Sequence, residues 1–491
     1  MSAPHGSSMA PASLVRAAAR KAMLDNGFVP DVPDAVRAEV AHAVPGTDDG
    51  ADVQDLRALP WSSIDNDSSR DLDQLEVCER LSGDGDVRVR VAIADVDATV
   101  RRGSATDGFA ATNATSVYTG VETFPMLPER LSTDLTSLGE QSDRASVVIE
   151  FVVAGDGTVH SHTVYLARVE NRAKLAYDDV GAWLDGAGAL PPSATPEIQD
   201  QLRLQDEVAR SLRAVRSRCG ALDLETIEAR SVLRADGSVD VELARKTRAS
   251  ALIEDFMIAA NVTMARFLDE RGSPSIRRVV KTPERWNRIV ALAASRGATL
   301  PAVADSAALE AFLAEQRRLD PDRYADLSLS VVKLIGPGEY ALHAPGAADA
   351  GHFGLATHDY THSTAPNRRF ADLVTQRLLK AVLAGAPPPY DDAALDQIAR
   401  HCTEREDAAR KVERQVRKVA AAASLAGSVG RTFDAIVTGT NDRGTFVRVL
   451  APPVEGRVVR GEQGLDVGDK VRVTLLSTDA ARGFIDFGVA S

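Results

Sequence analysis

Four aspartates fall within nine residues, at Asp65, Asp67, Asp71 and Asp73, and Glu76 follows them. Like charge packed this closely is unfavourable unless cations neutralise it, and carboxylate oxygens are natural ligands of Mg²⁺, Mn²⁺ or Ca²⁺. The stretch is therefore either a cation site or a solvated acidic turn between strands. Oxygen-bearing side chains at 65, 67, 69, 71, 73 and 76 reproduce the ligand spacing of an EF-hand loop, but Arg70 stands where that loop's sharp turn needs Gly. Pro60 interrupts any incoming helix, and residues 87–93 alternate with the period of a strand. The EF-hand match is a coincidence of spacing.

At 491 residues the chain has room for two to four domains and a substantial core. Cys78, Cys219 and Cys402 are odd in number and far apart, which excludes a disulfide framework or a zinc pattern and predicts a reducing compartment, the cytoplasm. No apolar run approaches membrane-spanning length. The polar, small residues 1–11 read as a disordered lead-in. A net charge of −13 argues against a nucleic-acid partner only in total, because a basic channel can sit inside an acidic protein. Just nine of the 57 basic residues are Lys; Arg's planar fork suits phosphate, although codon usage explains an Arg- and Ala-rich composition equally well.

Along the chain, residues 13–26 and 34–44 read as two helices, a small module of helix-turn-helix type or a packing arm, followed by a linker at 45–50. Strands alternate with turns from Leu59, with hairpins over 145–170 and around Asp236-Gly237. Helices are expected at 197–218, 250–270, 284–296 and 305–318. A loop rich in hydroxyls and His, residues 352–367, runs into a helix whose first turns carry Arg368 and Arg369; on spacing alone this is a phosphate site or an ordinary capped helix. A long helix over 391–426 carries Arg410, Lys411, Arg414, Arg417 and Lys418 around Glu413, a run that usually marks a solvated face. The tail from 430 shows short strands spaced as in an OB-type barrel, on which Phe433, Phe446 and Arg448 suit a face for single-stranded nucleic acid.

Taken in order, the acidic stretch, Val91-Ala92-Ile93-Ala94-Asp95-Val96, Thr115-Ser116-Val117-Tyr118, Pro125-Met126-Leu127-Pro128, Gly220-Ala221-Leu222-Asp223, Leu252 to Asn261, His352-Phe353-Gly354-Leu355 and Arg368-Arg369 resemble the RNase II/RNase R (RNB) exoribonucleases. The resemblance implies an α+β fold: an RNB catalytic domain over 59–428, a mixed sheet with helices, flanked by a helical amino-terminal module over 1–58 and an S1 OB-fold barrel over 429–491. Two cold-shock domains, common in bacterial members, do not fit in 58 residues. It implies a hydrolytic, processive 3′-to-5′ exoribonuclease, monomeric and not membrane-bound, that uses two Mg²⁺ or Mn²⁺ ions to degrade single-stranded RNA to nucleoside 5′-monophosphates.

Residue by residue, Asp65, Asp71 and Asp73 match family metal ligands, with Asp73 the one on which turnover depends most. Arg368 matches an arginine on the scissile phosphate, Glu254 and Glu413 match acidic residues near the terminal nucleotides, and Tyr118 matches an aromatic that stacks near the 3′ end. Asp67 lies outside the matched set. Gln74 stands where the family usually has a fourth Asp, which weakens the second metal position. Leu224 stands where relatives often have an aromatic closing the base clamp. These departures leave a second reading, a catalytically weak RNB-fold RNA-binding protein; a DNA nuclease would fit the metal chemistry but not the S1-like tail.

Overall fold

A computed structural model describes residues 11–47, 52–83, 85–225, 228–234, 236–244, 246–347, 351–441 and 444–490. Residues 1–10 of the lead-in expected at 1–11 and the end of the linker expected at 45–50 lie outside these residues, while Pro11 already opens a helix. The centre is a seven-stranded mixed sheet, in the order Gln54–Asp55, Val159–Glu170, Asp143–Val153, Val87–Ala94, Gln74–Arg80, Ser62–Asp65, Ala173–Ala176. Its inner strands alternate Val, Ile and Ala with polar residues, and both faces are covered, so two apolar clusters form across it. One cluster gathers Trp61, Leu72, Leu75, Met126 and Phe370. The other packs Ile64, Ile93 and Phe151 under the helices Pro196–Arg218 and Arg248–Glu270.

Strand Ser62–Asp65 pairs with its neighbour Gln74–Arg80 antiparallel, Ser62 opposite Glu76. The acidic residues 66–73 are therefore the loop joining adjacent strands at one end of the sheet. A strand beside the loop and no helix on either flank agree with rejection of the EF-hand.

The helix Asp392–Ser424 runs through three clusters in turn. Leu395 and Cys402 enter the first sheet cluster; Val412, Val416 and Val419 pack with Val15, Ala19 and Met23 of the helix Pro11–Asp25; Ala422 and Leu425 enter the core of the carboxy-terminal barrel. The two amino-terminal helices, Pro11–Asp25 and Asp34–His42, bury their apolar faces in separate clusters of the larger body. The tail closes a five-stranded barrel, Thr432–Asn441, Gly444–Val449, Glu455–Arg460, Phe484–Val489, Lys470–Asp479.

Two details depart from the sequence reading. Arg368 and Arg369 do not lie within the first turns of a helix: the helix is Phe370–Leu383, Arg369 is its N-cap and Arg368 precedes it. Helices Ala105–Asn113, Tyr177–Leu184 and Pro321–Ile335 and the barrel strand Glu455–Arg460 were not anticipated. The helix Ala105–Asn113 is rich in Ala and Thr without a clear apolar stripe, and the strand Glu455–Arg460 carries three charges in six residues. Among the described residues no helix is long and apolar enough to cross a membrane.

Candidate active site

Leu72 explains how the acidic loop folds. Its side chain is buried in the first cluster, its N–H donates to Ser137 Oγ (3.1 Å) and its carbonyl accepts from Leu138 N (2.9 Å). With Leu72 turned inward, the alternation of an extended segment sends Asp71 and Asp73 the other way. Asp65 closes the incoming strand and Gln74 opens the outgoing one. Asp65, Asp71, Gln74, Tyr118, Glu254 and Arg368 line one cavity of about 420 Å³. Asp73 lies at its floor, 2 % exposed, bonded to Arg368.

The arginine loop is built to meet that floor. Asn261 Oδ1 accepts from Ser363 N (2.8 Å) and Oγ (2.9 Å), Asp372 accepts from Ala365 N (2.8 Å) and from Arg369, and Asn367 N donates to Asp73 Oδ1 (3.0 Å). Arg368 Nε reaches Asp73 Oδ2 at 3.3 Å. Two N–H groups of this loop, those of Ala365 and Asn367, are thus occupied by carboxylates of the protein itself, and the first helical N–H, that of Phe370, donates to the Ala114 carbonyl. Arg368 remains 43 % exposed, so its guanidinium faces the cavity. Two histidines of this loop, His352 and His362, are held by packing and hydrogen bonds. Burial holds His352 down to about 4 and His362 well below the usual imidazole range, and His362 Nδ1 bonds the Tyr340 hydroxyl (2.8 Å).

Electrostatics separate the carboxylates. Burial pushes Asp73 up to about 7, against the opposing charge of Arg368. Burial also raises Asp65, with the Asn66 N–H and the Ser69 hydroxyl opposing it. Glu76, two residues beyond Gln74 on the outgoing strand, is fully buried; burial and Asp65 drive it well above the ordinary carboxylate range, and neither of its oxygens has a hydrogen-bond partner. Negative charge held this way, short of compensating donors, is what a hard divalent cation relieves. Among the described residues no three His, Cys, Asp or Glu side chains are grouped so as to hold a metal ion by themselves. Mg²⁺ is commonly held by one or two carboxylates while water and substrate phosphate fill its remaining positions. The donor set, carboxylates and an amide oxygen, fits such an ion.

Tyr118 does more than present a ring. Its hydroxyl donates to Asp71 Oδ2 (3.0 Å) and its N–H to Glu413 Oε1 (3.3 Å). Tyr118 and Arg368 form the wall between the carboxylate cavity and a second one of about 250 Å³, lined also by Glu413, His362, Glu406 and Arg410. Tyr118 is 43 % exposed, open to a stacking partner. Glu254 pairs with Lys246 at the cavity rim. Leu224 does not come to the cavity; it packs with the cluster of Trp286, Phe312 and Tyr324, where an aliphatic side chain gains more from burial than at a wet clamp.

On the barrel, Phe446 stands directly opposite Arg457 on the neighbouring strand, and Arg457 is exposed. The pair therefore shares the outer face, and Arg457 is a residue the sequence reading missed. Phe433 packs edge-on to Phe487 and is only partly buried. Arg448 is 12 % exposed and paired with Asp326 (3.0 Å), so it ties the barrel to the helix Pro321–Ile335.

Residues 53–385 match the RNB domain, and residues 431–490 match the RNase II-type exonuclease C-terminal S1 domain. Ribonuclease R of Thermotoga maritima is 30 % identical over 466 residues, covering 88 % of this chain and 64 % of its own. The chain thus spans less than two thirds of that relative's length. Among solved structures, Mycoplasma genitalium RNase R in complex with ribose methylated single-stranded RNA superposes with a TM-score of 0.87 at 23 % identity, over 98 % of this chain and 78 % of the other. Yeast Ssd1, a pseudonuclease, gives 0.72 at 18 % identity over 94 % and 57 %. A fold shared by nucleases and a pseudonuclease leaves activity to the site, but with its sheet, acidic loop and barrel in this arrangement the chain belongs to the RNB family, its RNB domain followed by an RNase II-type C-terminal S1 domain.

Proposed function

We propose that this protein is a hydrolytic, processive 3′-to-5′ exoribonuclease that degrades single-stranded RNA to nucleoside 5′-monophosphates, dependent on two Mg²⁺ or Mn²⁺ ions. The observation that carries this reading is the cavity where Asp65, Asp71 and Gln74 face Arg368 above buried Asp73. As part of the proposal the chain divides at 58/59 and 428/429 into helical, catalytic and S1 units.

Asp65, Asp71, Asp73 and Gln74 would hold the ions, which when bound supply a nucleophilic water and neutralise the leaving oxygen. The chain's own groups set the rest. Asp73, buried against the Asn367 N–H and Arg368, would hold an ion through its carboxylate. The half-exposed Arg368 guanidinium takes the non-bridging oxygens of the scissile phosphate, where negative charge grows as water attacks phosphorus and the bond to the 3′ oxygen breaks. Tyr118 stacks on a base near the 3′ end and, through its hydroxyl, keeps Asp71 oriented. Glu254 and Glu413 accept from ribose hydroxyls on either side of the Tyr118 wall, which selects RNA over DNA.

The second reading, a catalytically weak RNA-binding protein, is favoured by Gln74, which brings an amide oxygen and no charge. One assay separates them. With 5′-labelled single-stranded RNA, Mg²⁺ should give progressive shortening from the 3′ end and EDTA should abolish it. Retention of RNA without shortening would establish the second reading, and equal shortening of DNA would remove the ribose assignment.

A further inference from the structure

We infer that the exposed face of the helix Asp392–Ser424, between the Tyr118 wall and the S1 barrel, is a phosphate-binding rail for single-stranded RNA. This rests on the RNA-binding reading above but not on hydrolysis. At 3.6 residues per turn Lys411, Arg414 and Lys418 share one face, with Arg417 at its edge. That face lies opposite Val412, Val416 and Val419, which are buried against the amino-terminal helix. All four basic residues are exposed.

What separates this stripe from an ordinary solvated face is the absence of acidic partners. Arg410 one turn earlier pairs with Glu406 and Asp407, as most arginines of this acidic chain pair with a neighbour. Among the described residues, Lys411, Arg414, Arg417 and Lys418 have no ion pair and no side-chain hydrogen bond. Surface cations left uncompensated in a chain of net charge −13 make a local positive field, and a polyanion is the ligand that matches it.

Position identifies which polyanion. At its amino-terminal end the stripe adjoins Arg410 and Glu413, which line the cavity behind Tyr118. At its other end it reaches the barrel, whose turn at Gly483 sits against Lys418: a Cβ on Gly483 would come within 2.8 Å of Lys418 Cβ. The next residue, Phe484, is 58 % exposed, a free ring at the foot of the barrel beside the last cation of the stripe. From Arg410 to Lys418 the helix rises about 12 Å, room for roughly two phosphates of an extended strand. Basic side chains ending in an exposed aromatic form the groove-and-platform pattern that holds single strands without sequence preference.

The test uses the full chain in EDTA, so that binding is read whether or not the protein hydrolyses RNA. Lys411→Gln, Arg414→Gln and Lys418→Gln combined should weaken binding of a single strand of about 20 nucleotides at least tenfold near 0.1 M salt. The slope of log affinity against log salt should fall by about 1.4, two phosphate contacts at ~0.7 each. Binding of an oligonucleotide of about four residues should change less than twofold, and Phe484→Ala should likewise weaken only the long strand. A melting profile like that of the parent shows that the triple variant is folded. If it is not, a photo-crosslinking benzoylphenylalanine at exposed Gln415 in the otherwise intact chain decides, by capturing the long RNA or failing to. Unchanged long-strand affinity and slope in the folded variant, or no capture from position 415, overturns the rail. Equal weakening of long and short strands also overturns it, by placing these cations at the 3′-terminal site.

Discussion

Around the cavity, Asp73 is 2 % exposed and held by Asn367 N–H and Arg368, whereas on the barrel and its supporting helix Arg457 and Lys418 stand in solvent with no acidic partner among the described residues. Both regions concentrate charge, and they do so for different ends. Buried charge is strong, fixed and barely screened, so a small change there alters the chemistry. Exposed charge is weak per group and screened by salt, so it tunes how long a substrate stays. The difference predicts that the two regions can be damaged independently.

Asp73→Asn is the sharpest break. It removes a buried charge and keeps the shape, so RNA affinity in EDTA should persist while turnover falls at least about 10³-fold, roughly 4 kcal/mol of barrier. Turnover close to that of the parent would take Asp73 out of the chemistry. On the other side, Phe446→Ala with Arg457→Gln should reduce affinity about tenfold or more, since stacking on one aromatic is worth ~1–3 kcal/mol. The single-turnover rate at saturating RNA should stay the same; a fall in that rate would join the barrel to the catalytic machinery.

Tyr118 spans both behaviours and tests where the line lies. Tyr118→Ala should lengthen the limit oligonucleotide on a sequencing gel while initial rates on long RNA stay within roughly tenfold. Tyr118→Phe keeps the ring and loses only the hydrogen bond to Asp71, worth about 1 kcal/mol, so the limit length should stay put and the rate should fall a few-fold. Gln74→Asp should lower the Mg²⁺ concentration for half-maximal rate; a higher or unchanged requirement would show that Gln74 has another role.

The smallest effect is on stability. Metal-free Asp73 titrates near 7 when folded, above its unfolded value, so the folded state binds the extra proton. Its contribution is full below the ordinary carboxylate range and is lost as pH rises through about 7. In EDTA the melting temperature should therefore fall more steeply across this range for the parent than for Asp73→Asn.

How much of this was legible in the sequence differs between the regions for the same physical reason. The acidic loop is contiguous, so Asp65, Asp71 and Asp73 stand out in one line, whereas Gln74 was singled out only by the resemblance to a family. Tyr118, Glu254 and Glu413 are scattered, and only the resemblance to a family picked them out. The donors that hold Asp73 in the metal-free site were harder to see: the Asn367 N–H is backbone, and it lies 294 residues away. Period-two patterning placed most barrel strands but not Glu455–Arg460, and so missed Arg457. Arg448 was read as a binding residue because its partner, Asp326, is 122 residues distant.

The helix Asp392–Ser424 has a consequence for how the chain tolerates change in length. It is seated in the sheet cluster near Leu395, in the amino-terminal cluster at Val412 to Val419, and in the barrel core at Ala422 and Leu425. Between seats it works as a shaft keyed at three points. One residue added between Cys402 and Ala408 would advance everything beyond by about 1.5 Å and turn it by about 100°. The valines would leave their sockets, and the barrel would swing to another side of the cavity. Seven added residues would nearly restore the angle while lifting the barrel by about 10 Å. Reach and orientation are thus set by a residue count, and the length of this helix is a gauge for the distance between the barrel and the carboxylate cavity.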